Sequence, residues 1–212
     1  MQTFKNLIGT EQIARFKQFW TDKKDRVYVN YEVDDGVIDH RLQVVPQDPE
    51  HQIIEGIVRA IHPNATDIWS ALQRQSRAHN IHIDDYSMQT PHPTWTYVIA
   101  LDTIPEFKTI VFKEKSGSNE KMVEEWFMTW NPDTAVRVSN ISETEDLEHT
   151  QDPHNGKYIT DYLNLDGIFS YQAGDGVLFE TIQLHCTSNW NKYPQYTMRE
   201  LLQIHYTVPP VE

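Results

Sequence analysis

The residues with the most obvious chemical potential in this sequence lie in Asn80-Ile81-His82-Ile83-Asp84-Asp85-Tyr86. In an extended strand the side chains at i and i+2 project to one face, so His82 and Asp84 converge while Ile81 and Ile83 point the other way. A neutral imidazole and a carboxylate meeting from one side make two adjacent ligands for a borderline divalent metal. Such a pair also arises by chance. A third candidate sits on a separate predicted strand, Val177–His185, which follows the turn Gly174-Asp175-Gly176 and places His185 on the same face as Gln183. Fourteen residues further on, Arg199 opens the last predicted strand and shares a face with Leu201. A cation leading an apolar strand is costly to bury alone. Either one of the chain's many carboxylates or an anionic ligand meets that need.

These residues need a scaffold, and the pattern of apolar residues supplies one. Thr10 to about Lys23 reads as a helix, with Thr10 as N-cap and Ile13, Phe16, Phe19 and Trp20 at helical spacing. The runs Val27–Val33 and Val37–Val45 flank Asp34-Asp35-Gly36 and read as a β-hairpin. Two further helices are predicted at Pro49–Ile61 and Asn64–Arg77, separated at Pro63-Asn64. From His79 onward the expectation is strands: Asn80–Tyr86, Thr94–Asp102, Thr109–Glu114, Trp126–Thr129, Val136–Ser139, Gly167–Tyr171, Val177–His185 and Arg199–Val208. Turn residues such as Pro105, Asn131-Pro132 and Pro194 separate most of them. The fold class expected is α+β and mainly β, a jelly-roll or barrel-like sandwich with N-terminal helices on one face. The whole chain, 1–212, reads as one domain, with 1–78 as helical and hairpin support and 79–208 as the core carrying the site. The acidic stretch Ser142–Lys157 reads as a solvated excursion, with an active-site lid as the other reading.

Composition narrows the field. The 212 residues carry 18 Lys+Arg against 31 Asp+Glu, a formal charge of −13, which disfavours binding to nucleic acid or anionic lipid through net charge. A single cysteine, Cys186, cannot form an internal disulfide and, following the candidate ligand His185, points away from it; its solitude suits a reducing, cytoplasmic setting. There is no apolar run of membrane-spanning length, and no Gly-x-Ser-x-Gly elbow or phosphate-cradling glycine loop. Of the other histidines, His79, His149 and His154 read as exposed, and His205 as a satisfied core residue within reach of the cavity.

Taken in order, the pair His82/Asp84, the later His185 after a Gly-Asp turn, and the downstream Arg199 resemble the Fe(II)- and 2-oxoglutarate-dependent dioxygenase family. Tyr97-Val98-Ile99-Ala100-Leu101-Asp102, on the strand after the first pair, is a further family-like phrase. The resemblance covers His79 to Val208 and implies a double-stranded β-helix (jelly-roll) core. It implies that His82, Asp84 and His185 hold Fe(II) as two histidines and one carboxylate, leaving positions for 2-oxoglutarate and O2. It assigns Arg199 to the distal carboxylate of 2-oxoglutarate and Tyr97, beside Trp95, to the wall of the cosubstrate pocket, with aromatic core as the other reading. Some branches carry Ser or Thr two residues beyond the arginine; here Leu201 stands there, and Lys192 is the reserve partner for the anion. Asn80 and Gln183 are candidates to support the ligands from behind. The activity implied is hydroxylation of a C–H bond coupled to decarboxylation of 2-oxoglutarate to succinate and CO2, on a protein side chain or a small molecule. A cupin-like metal enzyme independent of 2-oxoglutarate and a non-catalytic β-sandwich binding module are the competing readings.

Overall fold

The computed structural model describes residues 1–33, 36–76, 84, 94–115, 164–188, 195 and 198–210, with side chains described for all of these except 30–33 and 36–38. Among these residues ten strands and two α-helices run in the order β1 (Gln2–Phe4), α1 (Thr10–Asp22), β2 (Tyr28–Val33), β3 (Gly36–Val44), α2 (Pro49–Ile61), β4 (Thr66–Gln75), β5 (Trp95–Ala100), β6 (Ile104–Lys115), β7 (Leu165–Tyr171), β8 (Gly176–Glu180), β9 (Gln183–Thr187) and β10 (Arg199–Thr207). A seven-stranded sheet has the order β1-β8-β5-β10-β4-β3-β2, and a three-stranded sheet the order β7-β6-β9. All pairings are antiparallel. The protein is thus β-rich, a jelly-roll core with helices, as the fold-class reading expects.

Alternation along the strands of the large sheet creates two unlike faces. One face buries Leu42, Leu72, Tyr97, Ile99, Leu178, Leu202, Ile204 and Tyr206 against Phe16, Phe19 and Trp20 of α1 and Ile54 and Val58 of α2. Helix α1 starts at Thr10, but the capping position is Gly9, whose N–H donates to Gln12 Oε1 at 2.9 Å. Helix α2 opens on Pro49 after Asp48, where the missing N–H costs nothing. The other face of the sheet packs Val98, Ala100, Val177, Phe179 and Leu201 against Phe107, Val111, Phe169 and Tyr171 of the small sheet. The second core, between the sheets, shares its space with the polar residues described below.

Two expectations require correction. The segment predicted as a helix at Asn64–Arg77 is instead strand β4, paired with β10 on one side and β3 on the other. Ala71, Leu72, Gln73 and Arg74 are good helix formers, yet their two neighbouring strands and burial on both faces override that preference. The predicted single strand Val177–His185 breaks at Thr181-Ile182, so that β8 joins the large sheet and β9 the small one. The turn feeding β8 uses Gly174 at φ +88°, where a Cβ would lie 2.5 Å from the Ile8 carbonyl oxygen. The strands expected at Trp126–Thr129 and Val136–Ser139, the segment Asn80–Tyr86 apart from Asp84, and the acidic stretch 142–157 lie outside the described residues. Among the described residues, no helix is long and apolar enough to cross a membrane.

Candidate active site

The break between β8 and β9 delivers His185 to the small sheet, where it pairs with Val111 of β6 and faces the large sheet across the cleft. Its Nδ1 lies 3.0 Å from the carbonyl oxygen of Gln183. A carbonyl only accepts, so in the neutral ring Nδ1 carries the proton and Nε2 keeps its lone pair. That Nε2 stands 3.7 Å from Asp84 Oδ1. The gap is too long for a hydrogen bond and suits two ligands of one metal ion. The ring is buried and tilted against Phe179, at 4.7 Å between centroids.

Asp84 is oriented from the large sheet. Thr96 of β5 donates its hydroxyl to Oδ2 at 2.9 Å, and Gln203 Nε2 of β10 lies 3.3 and 3.4 Å from the two carboxylate oxygens. Thr96 Oγ1 in turn sits 3.1 Å from His205 Nδ1. His205 has no exposed surface, and burial pulls its pKa down to about 4. The imidazole is therefore neutral, and Nδ1–H donates to the threonine oxygen, whose own hydroxyl donates a hydrogen bond to Asp84. Thus His205 is the satisfied buried histidine expected from sequence, and it supports Asp84 at one remove.

At the other end of the cleft, Arg199 begins β10 and is 3% exposed. Its Nε donates to Gln75 Oε1 at 2.5 Å and its Nη1 to the Tyr171 hydroxyl at 3.0 Å; the guanidinium also lies over the Tyr171 ring at 5.1 Å. Tyr171 is held by Thr109 Oγ1 at 2.9 Å. Among the described residues no carboxylate forms an ion pair with Arg199. Asp39, which acts on it at longer range, is taken by Arg41 at 2.8 Å. Burial lowers the arginine's pKa, the direction expected of a cation without a counter-ion. Among the described residues two of its five N–H groups are engaged, and the others point to a role in holding a ligand.

Asp84, His185 and Arg199, three of the residues singled out by spacing, are thereby brought to one cleft, with His185 and Arg199 both in its lining. His82 and Lys192 lie outside the described residues. Among the described residues no group of three or more His, Cys, Asp and Glu side chains is disposed to hold a metal ion. The expectation for Tyr97 is corrected: its ring packs with Phe4 at 5.4 Å on the helix-facing side, and the adjacent Val98 lines the cleft in its place. The alternation of β5 sends Thr96 and Val98 to the cleft and Trp95 and Tyr97 to the helices. Gln183 sends its amide to Phe112 O and Asp166 at 2.9 and 3.1 Å, so only its backbone serves His185. Cys186 is fully buried, and burial pushes its thiol pKa up.

Sequence reasoning missed Thr96, Gln203, Tyr171, Thr109, Gln73 and Gln75. The signal was present in the glutamines, uncharged polar residues at i+2 spacing in Ala71-Leu72-Gln73-Arg74-Gln75 and at Gln203 within the apolar Leu201-Leu202-Gln203-Ile204. Tyr171 shares parity with Phe169 on β7, but which face of that strand meets the cleft becomes clear only from the pairing of β7 with β6.

No protein-family model matches the chain, and no curated protein does. Solved structures do. The non-haem α-ketoglutarate-dependent epimerase SnoN from nogalamycin biosynthesis superposes with a TM-score of 0.59 at 10% identity, covering 97% of this chain and 75% of that one. A Pseudomonas putida prolyl-4-hydroxylase gives 0.56 at 9% identity, covering 99% and 92%. The chain has the fold of the Fe(II)/2-oxoglutarate-dependent oxygenases. HygX from Streptomyces hygroscopicus, solved with iron bound, extends the likeness at TM-score 0.52 and 14% identity, covering 97% and 81%. Within this fold the chain's cleft lies between the two sheets, with His185 on β9, Arg199 on β10 and Asp84 brought against them from the segment before β5.

Proposed function

We propose that the chain is an Fe(II)- and 2-oxoglutarate-dependent oxygenase, a hydroxylase in which His82, Asp84 and His185 hold the metal and Arg199 holds the distal carboxylate of 2-oxoglutarate. The observation that carries this reading is the buried Arg199, which among the described residues is hydrogen-bonded to neutral partners only and opens onto the same cleft as a histidine whose Nε2 faces Asp84. An imidazole nitrogen and a carboxylate oxygen are donors that suit Fe(II). Bound Fe(II), with 2-oxoglutarate and O2, supplies the oxidising power for C–H hydroxylation, releasing succinate and CO2.

The chain's own groups do the rest. The free N–H groups of Arg199, with the Tyr171 hydroxyl, bind the far carboxylate in place of the Ser or Thr that Leu201 replaces. Val98, Phe179 and Leu201 exclude water around the near end. Thr96 and Gln203 fix the Asp84 carboxylate, and the Gln183 carbonyl fixes the His185 ring. The primary substrate on this reading is a protein side chain or a small molecule. The setting is the cytoplasm, where a lone buried thiol stays reduced.

Anaerobic titration of the folded protein with Fe(II) and then 2-oxoglutarate tests the proposal. A weak visible charge-transfer band is expected, absent in His185→Ala and appearing only at much higher 2-oxoglutarate in Arg199→Met. A wild-type sample that binds neither metal nor cosubstrate would overturn it. Metal binding with turnover that survives Arg199→Met unchanged would favour a cupin-like enzyme independent of 2-oxoglutarate.

A further inference from the structure

Three glutamines join the two ends of the cleft. On β4, Gln75 lies directly opposite Arg199 in the β4–β10 ladder, and Gln73, two residues earlier, lies opposite Leu201 and diagonal to Gln203. Their amides connect in one sense: Arg199 Nε donates to Gln75 Oε1 at 2.5 Å, Gln75 Nε2 to Gln73 Oε1 at 2.9 Å, Gln73 Nε2 to Gln203 Oε1, and Gln203 Nε2 to Asp84. The polarity is fixed from outside. A guanidinium can only donate and an ionised carboxylate can only accept, so the first amide must present its oxygen and the last its nitrogen. Flipping any one glutamine would set two donors or two acceptors against each other on at least one side. All three side chains are buried, at 2%, 4% and 6% exposure for Gln73, Gln75 and Gln203, where water is poorly placed to repair a reversed link.

We infer that Gln75, Gln73 and Gln203 form a polarised relay that couples the charge of Arg199 to the carboxylate of Asp84, and that they are positioning residues for the metal ligand. Aligned hydrogen bonds between two opposite charges polarise one another, so each end senses the state of the other. An anion docking on Arg199 weakens its donation to Gln75, and the last amide then withdraws less electron density from Asp84. The carboxylate becomes the better ligand as the cosubstrate site fills. The inference rests on the reading of Asp84 as a metal ligand.

The test uses the full chain and Co(II) alone, followed by its visible d–d absorption, with no 2-oxoglutarate to bridge the two ends. Dissociation constants are measured for the parent, Arg199→Met, Gln73→Leu and the double variant. Gln73 touches neither Arg199 nor Asp84 in the chain of hydrogen bonds, so a packing role predicts that the two substitutions act independently. The relay predicts that Arg199→Met changes the Co(II) dissociation constant by about threefold or more in the parent and by less than about 1.5-fold once Gln73 is replaced. Gln73→Met, with a flexible side chain of the same length, carries the same cycle if the leucine variant fails to fold. Equal fold-changes in both backgrounds would overturn the relay and leave the oxygenase reading intact. A parent protein that binds no Co(II) would overturn both.

Discussion

The two faces of the large sheet are built from the same strands and do opposite work. On β10, Leu202, Ile204 and Tyr206 enter the helix-side core, while Arg199, Leu201, Gln203 and His205 face the small sheet. On β4, Ile68 and Leu72 go to the helices, while Gln73 and Gln75 go to the cleft. One face is held by apolar burial. The other combines a second apolar core with a network of hydrogen bonds among buried polar side chains. Period-2 alternation lets a single strand serve both purposes, so stability and chemistry separate by residue parity. Substitutions on the two faces are therefore expected to fail in different ways.

The largest effect belongs to the helix side. Leu202 has no exposed surface, and Leu202→Ala is expected to cost about 2–5 kcal/mol of folding stability through lost transfer energy and the cavity left behind. Urea unfolding measures it. Co(II) affinity below the melting range should stay as in the parent; a loss of metal binding in the folded variant would break the division between the faces.

The cleft side answers to pH. His205 is surrounded by Asp84, Arg41 and His185 in addition to Thr96, and its pKa falls from 6.5 to about 4 because burial disfavours the charged ring. A group whose folded pKa is depressed stabilises the fold above its unfolded pKa, and that contribution fades as pH drops through the interval down to the folded value. Wild type should lose roughly 3 kcal/mol more than His205→Gln between pH 6.5 and pH 4. Parallel stability curves for the two proteins would show that the ring is not buried in its neutral form.

Arg199→Met sharpens the contrast further. A buried cation without a counter-ion contributes little to stability, and an apolar side chain of similar volume is neutral or better there. Unfolding free energy is expected to stay within about 1 kcal/mol of wild type or to rise. Affinity for 2-oxoglutarate should fall by about a hundredfold, the range found when one partner of a desolvated charge pair is removed. Calorimetric titration of the metal-loaded protein reads the second quantity. A variant that loses stability and keeps the cosubstrate would reverse the roles assigned to the faces.

The same parity explains what the sequence disclosed and what it withheld. Spacing on a single strand was enough to pair Arg199 with Leu201 and to send Cys186 away from His185, because alternation is local. It also implied that Trp95 and Tyr97 share a face, but not which face, since that depends on whether helices or a second sheet cover it. Tyr97 therefore went to the wrong wall, and Thr96 was overlooked. The helix expected at Asn64–Arg77 failed for a related reason. The residues that make β4 look helical, Gln73 and Gln75 among them, are there to reach across to Arg199 and Gln203, a requirement set by a strand more than 120 residues away. His185 was legible because it follows a Gly-Asp-Gly turn; the corner at Thr181-Ile182 that moves it to the other sheet was not, since Thr and Ile suit a continuous strand equally well.

The smallest effect returns to the helix side and tests the half-buried ion pair of Arg26 with Asp48 at the start of α2. Arg26 grips Asp48 with two bonds of 2.9 Å, and the Val45 N–H donates to the same carboxylate at 2.9 Å. The arginine's hydrogen bonds are the largest cause of the lowered Asp48 pKa. Asp48 sits at the N-cap of α2 yet gives its side chain to Arg26 instead of to the helix N–H groups, so the pair anchors the start of α2 to the turn before β2. Arg26 is 32% exposed, and solvent screens the attraction, which leaves Asp48→Asn a cost of about 1 kcal/mol. A depressed carboxyl stabilises the fold above its unfolded pKa, so this contribution is present at neutral pH and is lost as pH falls through and below the ordinary carboxylate range. The deficit of Asp48→Asn in urea unfolding should accordingly shrink on acidification below about pH 4. Metal and 2-oxoglutarate affinity should not change, because the helix-side core stands between this pair and the cleft. A change in either would mean that α2 communicates with the site through the sheet, and that the two faces are less independent than their parity suggests.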